Sequence, residues 1–462
     1  MTIIPQLIRE ETCRVSRPAM SIAVQTNGWW REFLAAIPKK SGLKPIGYSL
    51  ADQALVVGGT FLVNVILART QTKEEYGMFA LSYSVFTFLS GLHNAAILEP
   101  YTVYGSGRHR ERFPEYFRLM AKSNAAVGVL LTAALGTVCL IFRSVAPHLF
   151  SRAMVGLALT VGILLSGSFL RRVFYMQRRA SLAAGTSLAF FLTVLAGVWL
   201  ASRAQVLNGF SAYLILALGW LAGGAIFAGK LPVKKSRQPF LDHVPDYWRE
   251  HLKYTQWVLA SALAIQVSTQ SYYWLVAGIL SVKDVANLRA IYLLIAPVDQ
   301  LYIALNYLVL PALAAHYAAR RMGKFLATSA RLGILTVGVT VLFALAVRMA
   351  GKLVLHMLYA GKFDSLEPLL YLLALLPLLM GIGNTINDAL KAAEKPKLVF
   401  YAYLASGAAT FVVGVPLVIR YGLLGAVMGL LSSASAYTCA LVIGFLYAFR
   451  GEKRIWARAS GV

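Results

Sequence analysis

Acidic residues are scarce in this 462-residue chain: 19 Asp and Glu stand against 44 Lys and Arg. Charged residues of both signs make up 14%, against about 25% in ordinary globular domains, which excludes a string of soluble domains. Cysteine is nearly absent. The three present lie far apart, and Cys139 and Cys439 fall inside apolar segments, so neither a disulfide framework nor a zinc site has the spacing it needs. No GxxxxGKS/T phosphate loop occurs, which removes ATP as a direct energy source. We expect no metal and no cofactor. Beyond Gly47 no polar stretch approaches the ~100 to 150 residues of a catalytic domain. The longest outer connection, 348–367, holds only Asp364 and Glu367 as acids, which argues against a membrane-embedded glycosyltransferase or polymerase. The chain is not expected to be an enzyme.

What it has is hydrophobic length, with 58% hydrophobic residues and a mean hydropathy of +0.65. Apolar runs of about 20 residues, enough to cross a bilayer, recur twelve times. They lie near 47–68, 78–103, 124–142, 153–170, 181–201, 210–229, 254–280, 286–314, 332–347, 368–389, 398–418 and 424–449. None alternates as barrel strands do, and unpaired backbone cannot face hydrocarbon, so all are expected to be helices of an all-α integral membrane protein. Basic residues partition 33 to 11 between the two sides of this arrangement. By the positive-inside rule both termini are then cytoplasmic. That partition explains the net charge of +25 as topology, and no nucleic acid is expected as a partner.

The two sets of six spans read as copies. Thr72-Lys73-Glu74-Glu75 after the first span corresponds to Ser281-Val282-Lys283-Asp284 after the seventh, an offset of 209 residues. Leu98-Glu99-Pro100 likewise corresponds to Val309-Leu310-Pro311. An even-numbered repeat implies two six-helix bundles related by pseudo-two-fold symmetry about the membrane normal. The expected divisions are a cytoplasmic tail, 1–46, a first bundle, 47–229, a linker, 230–253, a second bundle, 254–449, and a basic tail, 450–462. The N-terminal tail lacks an apolar core followed by a small-residue cleavage site, so it is not expected to be a cleaved signal peptide. Its Trp29–Ile37 stretch fits a short helix lying on the headgroups; an unstructured tail, or a start at Met20, fits equally.

The stretch Leu67-Ala68-Arg69 through Glu75-Tyr76-Gly77-Met78-Phe79-Ala80-Leu81 resembles the connection after the first helix of polysaccharide-type flippases (O-antigen and exopolysaccharide transporters). These belong to the multidrug/oligosaccharidyl-lipid/polysaccharide exporter superfamily. Residues 286–313, ending Asn306-Tyr307-Leu308-Val309-Leu310-Pro311, are similar to that family's eighth helix, and Ala389 to Lys397 to its turn after the tenth. The resemblance implies transport of lipid-linked oligosaccharide on a polyprenyl diphosphate by alternating access, in the bacterial inner membrane, for cell-surface polysaccharide synthesis. It also implies a polysaccharide polymerase and other export-pathway proteins as partners, besides membrane lipids. Drug or cation antiporters of the multidrug and toxin extrusion type share the twelve-helix plan and stand as the alternative.

A diphosphate headgroup needs a wet, partly cationic path through hydrocarbon. Gln53, Thr60 and Asn64 share one stripe of the first span, and Gln266, Gln270 and Tyr273 one stripe of the seventh. We expect both stripes to line the substrate cavity, against the alternative that they merely join helices. Arg171, Arg172 and Lys391, near inner ends of spans, are expected to attract the headgroup. Among other intramembrane ionisable residues, Arg289 and Arg348 lie near outer ends and are expected to snorkel. Asp52, Glu99 and Asp388 lie near inner ends, where capping or pairing, for instance of Asp388 with Lys391, is as reasonable as transport. Asp299 differs: it sits well inside a span, beside Pro297, which should kink that helix. We expect it to be the proton-coupling carboxylate.

Overall fold

The computed structural model describes residues 43–106, 113–145, 152–232 and 244–459. No strand occurs among them. The expected helix at Trp29–Ile37 lies outside the described residues.

The first bundle opens with α1, Leu43–Thr70, as its first rod. The second rod comprises α2, Lys73–His93, a π-helical turn, Asn94–Leu98, and α3, Glu99–Ser106. The turn stands just before Pro100, which lacks the amide hydrogen a regular α-helix requires there. Rods three to six are α4, Phe113–Val145, α5, Arg152–Met176, α6, Ala180–Arg203, and α7, Gly209–Phe227.

The second bundle begins with α8, Val244–Ile279, which starts ten residues before the expected span. The eighth rod is broken into α9, Val282–Leu293, and α10, Ala296–Ala318, with Pro297 in the first turn of the latter. The sequence-based kink at Pro297 is therefore a full interruption. α11 covers Met322–Tyr359, and the tenth rod divides into α12, Glu367–Leu373, and α13, Leu376–Ala392. The eleventh comprises α14, Pro396–Ala409, a π-helical turn, Thr410–Gly414, and the start of α15, Val415–Ala459. Gly422, at φ 57° and ψ −132°, folds α15 back into the twelfth rod, a conformation that costs glycine little for want of a Cβ.

The internal repeat is visible atom by atom at its turns. Thr72 caps α2 by accepting from the Glu75 amide at 3.2 Å, and Ser281 caps α9 by accepting from the Asp284 amide at 3.2 Å. The turns after the fourth and tenth rods match as well. Arg178 and Glu394 both adopt φ 58°, followed by Arg179 at φ −110°, ψ 60° and Lys395 at φ −111°, ψ 52°. Consecutive rods alternate in direction, so the turns at Thr72, Ser281 and Gly361 define one face and those at Arg178, Arg320 and Glu394 the other. We name these the Thr72 face and the Arg178 face.

Nine helical stretches among the described residues are long and apolar enough to cross a membrane, and Gly422 makes two rods of the last, Pro396–Arg450. The seventh and eighth rods stand outside this set; Gln266, Thr269 and Gln270 lower the hydropathy of the seventh. Leu130, Ile334, Met349 and Val412 are exposed on the rods' outward sides, as a lipid solvent requires. The chain is a multi-pass membrane protein.

Candidate functional site between the bundles

Two polar clusters lie along α1. The first is nearer the Arg178 face. Asp52, with 0% exposure, receives Arg171 Nε at 2.9 and 3.1 Å on its two oxygens, and Arg171 Nη2 at 2.6 Å. Tyr175 donates to the same carboxylate at 2.6 Å, and the Ser187 hydroxyl donates as well. Arg171 and Tyr175 are four residues apart on α5, so one face of that helix presents both. Arg171 Nη2 also donates to Gln53 Oε1 at 2.9 Å, and Gln53 Nε2 donates to Gln300 Oε1 at 3.0 Å. Gln300 belongs to α10, so this chain of bonds joins the two bundles. Each charge here has its partner, as burial demands.

The second cluster lies about 18 Å further along α1, twelve residues at 1.5 Å each. Asn64 donates to the Thr60 carbonyl at 2.8 Å and accepts Arg289 Nε at 3.1 Å. The Arg289 guanidinium lies 4.7 Å from the Tyr83 ring centroid, a cation–π contact, and Tyr76 and Tyr273 flank it. Tyr273 meets Tyr292 edge-on, with ring centroids 6.4 Å apart. No carboxylate among the described residues pairs with Arg289. It bridges α9 to α1 and α2 instead of snorkelling, because Asn64 offers an acceptor and Tyr83 a π face at that depth.

Beyond this cluster the Thr72 face is sealed. Lys362 Nζ donates to the carbonyls of Ala68, Arg69 and Gln71 at 3.0, 3.0 and 2.5 Å, capping the end of α1 from the other bundle. Burial first, and Lys73 second, hold its pKa below the ordinary lysine value. Lys283 pairs with Glu74 at 2.8 Å, and Arg69 donates to the Met357 carbonyl at 3.2 Å. Gly77 lies directly against the Val282 carbonyl, leaving no room for a Cβ.

The sequence-predicted residues are thus divided. Gln53 joins Arg171 in the first cluster; Thr60, Asn64 and Tyr273 gather at the second. Thr60 donates to the Val56 and Val57 carbonyls of its own helix. Gln266 packs on Gly91 and donates to the Thr87 carbonyl at 3.3 Å, in the seam between α2 and α8. Gln270 donates to Thr269 at 3.3 Å. The three basic residues do not form one patch. Arg171 is engaged by Asp52, Arg172 donates to Asn94 at 3.2 Å, and Lys391 is exposed without an ion pair to Asp388. Asp299 stands in the first turn of α10, where the helix dipole favours a negative charge. Its neighbour Gln300 is bonded to Gln53, not to it. Sequence reasoning weighed pairing for Asp52 without naming Arg171 as its partner, read Arg289 as snorkelling, and passed over Ser187 and Gln300. The available signal was the rule that ionisable groups within membrane rods seek one another, which pairs Asp52 with Arg171.

Twelve helical rods in two bundles are a fold that this chain shares with solved membrane transporters. No family model matches the chain, and no curated protein matches it closely in sequence. Solved structures do. A multidrug resistance MATE family transporter of the MOP superfamily, in its inward-facing conformation, is similar at TM-score 0.70 and 14% identity, covering 88% of this chain and 95% of that one. The lipid II flippase MurJ, inward closed, is similar at 0.64 and 16%, covering 88% and 87%. A MOP superfamily transporter from Pyrococcus furiosus, noted for the reverse polarity of its binding pocket, gives 0.61 and 13%, covering 92% and 98%. These neighbours are transporters and flippases, not enzymes.

Proposed function

We propose that this protein flips a lipid-linked oligosaccharide, carried on polyprenyl diphosphate, across the bacterial inner membrane for cell-surface polysaccharide synthesis. In this reading both termini and the Arg178 face are cytoplasmic, and the bundles rock about the bound headgroup in alternating access. A polysaccharide polymerase and other export proteins would act on the outer side. The observation that carries the proposal is Arg289. Its guanidinium is held between the bundles by neutral partners alone, so its charge is available to a ligand oxyanion, which guanidinium binds by paired hydrogen bonds. Gln53, Asn64 and Tyr273 would line the path, with Arg172 and Lys391 near its cytoplasmic entrance.

The test replaces Arg289 by Gln and by Lys in cells that depend on this protein for glycan export. Removing a buried charged hydrogen bond to a ligand costs about 2–5 kcal/mol. Export should therefore fall more than tenfold in Arg289→Gln at unchanged protein level, with partial retention in Arg289→Lys. Wild-type export in both variants would remove the diphosphate from this site.

One observation favours the cation antiporter instead: Asp299 makes no hydrogen bond to a described residue and so is free to hold a proton or a cationic guest. Under the flippase reading Asp299 is the coupling group. Asp299→Asn should then abolish the dependence of vesicle transport on an imposed pH gradient while the protein stays folded. Gradient dependence equal to the wild type in that variant would assign coupling elsewhere. Loss of organic-cation resistance with intact glycan export would favour the antiporter.

A further inference from the structure

At the Arg178 face the turn between the tenth and eleventh rods meets the end of the twelfth, and no residue of either polar cluster lines the cleft between them. The cleft there has a volume of about 1170 Å³ and is lined by Glu394, Lys395, Lys397, Tyr401, Tyr447 and Arg450 among others. That exceeds the ~300–1,000 Å³ of small-molecule sites. Three cations face one carboxylate.

The mouth is a built structure. Lys395 Nζ donates to the Ala448 carbonyl at 3.1 Å and lies 5.0 Å from the Phe449 ring centroid, tying the turn to α15. Lys397 and Arg450, by contrast, are exposed and make no ion pair or hydrogen bond with a described residue. Below them, Leu398 meets Gly444 closely enough that an added Cβ would touch it at 3.4 Å, so α14 and α15 approach there. Tyr401 and Leu404 on α14, and Tyr447 and Ile443 on α15, flank that contact at helical spacings of three and four. All four are exposed, Tyr447 at 77%. The cleft therefore grades from a cationic rim, through two tyrosines, to apolar side chains exposed on both helices. Free phosphate or a nucleotide would use only the rim.

We propose that this cleft binds an anionic phospholipid of the surrounding bilayer, its phosphate between Lys397 and Arg450 and its acyl chains along Leu404 and Ile443. Basic pockets between membrane helices, and aromatic side chains at the interface, suit that ligand. The inference is independent of what the transporter carries.

The test uses the full-length protein purified in neutral detergent, with binding of phosphatidylglycerol and of phosphatidylcholine read by native mass spectrometry. Phosphatidylglycerol should be retained preferentially. Lys397→Gln with Arg450→Gln should weaken its binding about 30-fold, from two surface cations near an anionic headgroup, and leave phosphatidylcholine unaffected. Both positions are exposed, and an unchanged melting temperature confirms the fold. Equal retention of the two lipids by the wild type would overturn the proposal without recourse to any variant. So would unaltered phosphatidylglycerol binding in the double variant, or its displacement by millimolar inorganic phosphate, which would identify a phosphate site and not a lipid site.

Discussion

Asp52→Ala is expected to destabilise the protein by about 3–5 kcal/mol, the cost of removing one partner from a buried ion pair. The loss follows from what remains. Arg171 would keep its charge with only Gln53 to accept from it, and the hydroxyls of Tyr175 and Ser187 would lose their acceptor. Thermal unfolding in detergent measures the effect. Asp52→Leu combined with Arg171→Met removes both charges, and should recover most of the stability, because a well-packed apolar pair of similar volume often replaces a buried ion pair without penalty. A double-mutant cycle separates the pairwise contribution. If the two single losses simply added in the double variant, the ion pair would not be the cause. The same variants test the link between bundles, since Gln53 is oriented by Arg171 before it reaches Gln300.

Gly77→Val is expected to hold the Thr72 face open. A Cβ at this position would overlap the Val282 carbonyl oxygen and carbon, which are backbone and cannot rotate aside. Overpacking of this kind costs about 1–3 kcal/mol, and α2 can relieve it only by withdrawing from α9. Lys283 and Glu74, now paired at 2.8 Å and both solvent-accessible, report the separation. With Glu74→Cys and Lys283→Cys carrying spin labels in a background without other cysteines, the distance distribution should shift outward by several ångströms when Gly77→Val is added. An unshifted distribution would show that the glycine does not control the closure. Transport should fall with the shift, because a carrier that cannot seal one face cannot alternate.

Much of the architecture was legible in the sequence because the bilayer imposes it. Hydrocarbon thickness sets span length, and backbone satisfaction demands helices. The 209-residue repeat of Thr72 and Ser281 announced matching turns because a hydroxyl before a helix has one favoured use, as an N-cap. Pro297 inside a long span announced a kink, which the structure makes a full break, because proline removes an amide that the helix needs. The polar stripe on α1 was legible for the same periodic reason, and its residues do face the other bundle at Gln53 and Asn64.

Partner choice was not legible, for a physical reason. A stripe shows that a side chain points inward, yet Gln266 at a bundle seam and Asn64 beside a buried guanidinium have the same periodicity. Arg289 reads as a snorkelling residue seven positions into its helix until tertiary structure places Tyr83 and Asn64 around it. Asp52 reads as a cap or one half of an unnamed pair until α5 brings Arg171 across 119 residues of chain. Sequence by itself determined twelve membrane helices in a duplicated order, since those follow from local hydrophobicity and turn chemistry. Only the tertiary structure decided which intramembrane charges are neutralised within a bundle and which stands between the bundles with no carboxylate partner among the described residues, because electrostatic energy depends on distances that the fold alone creates.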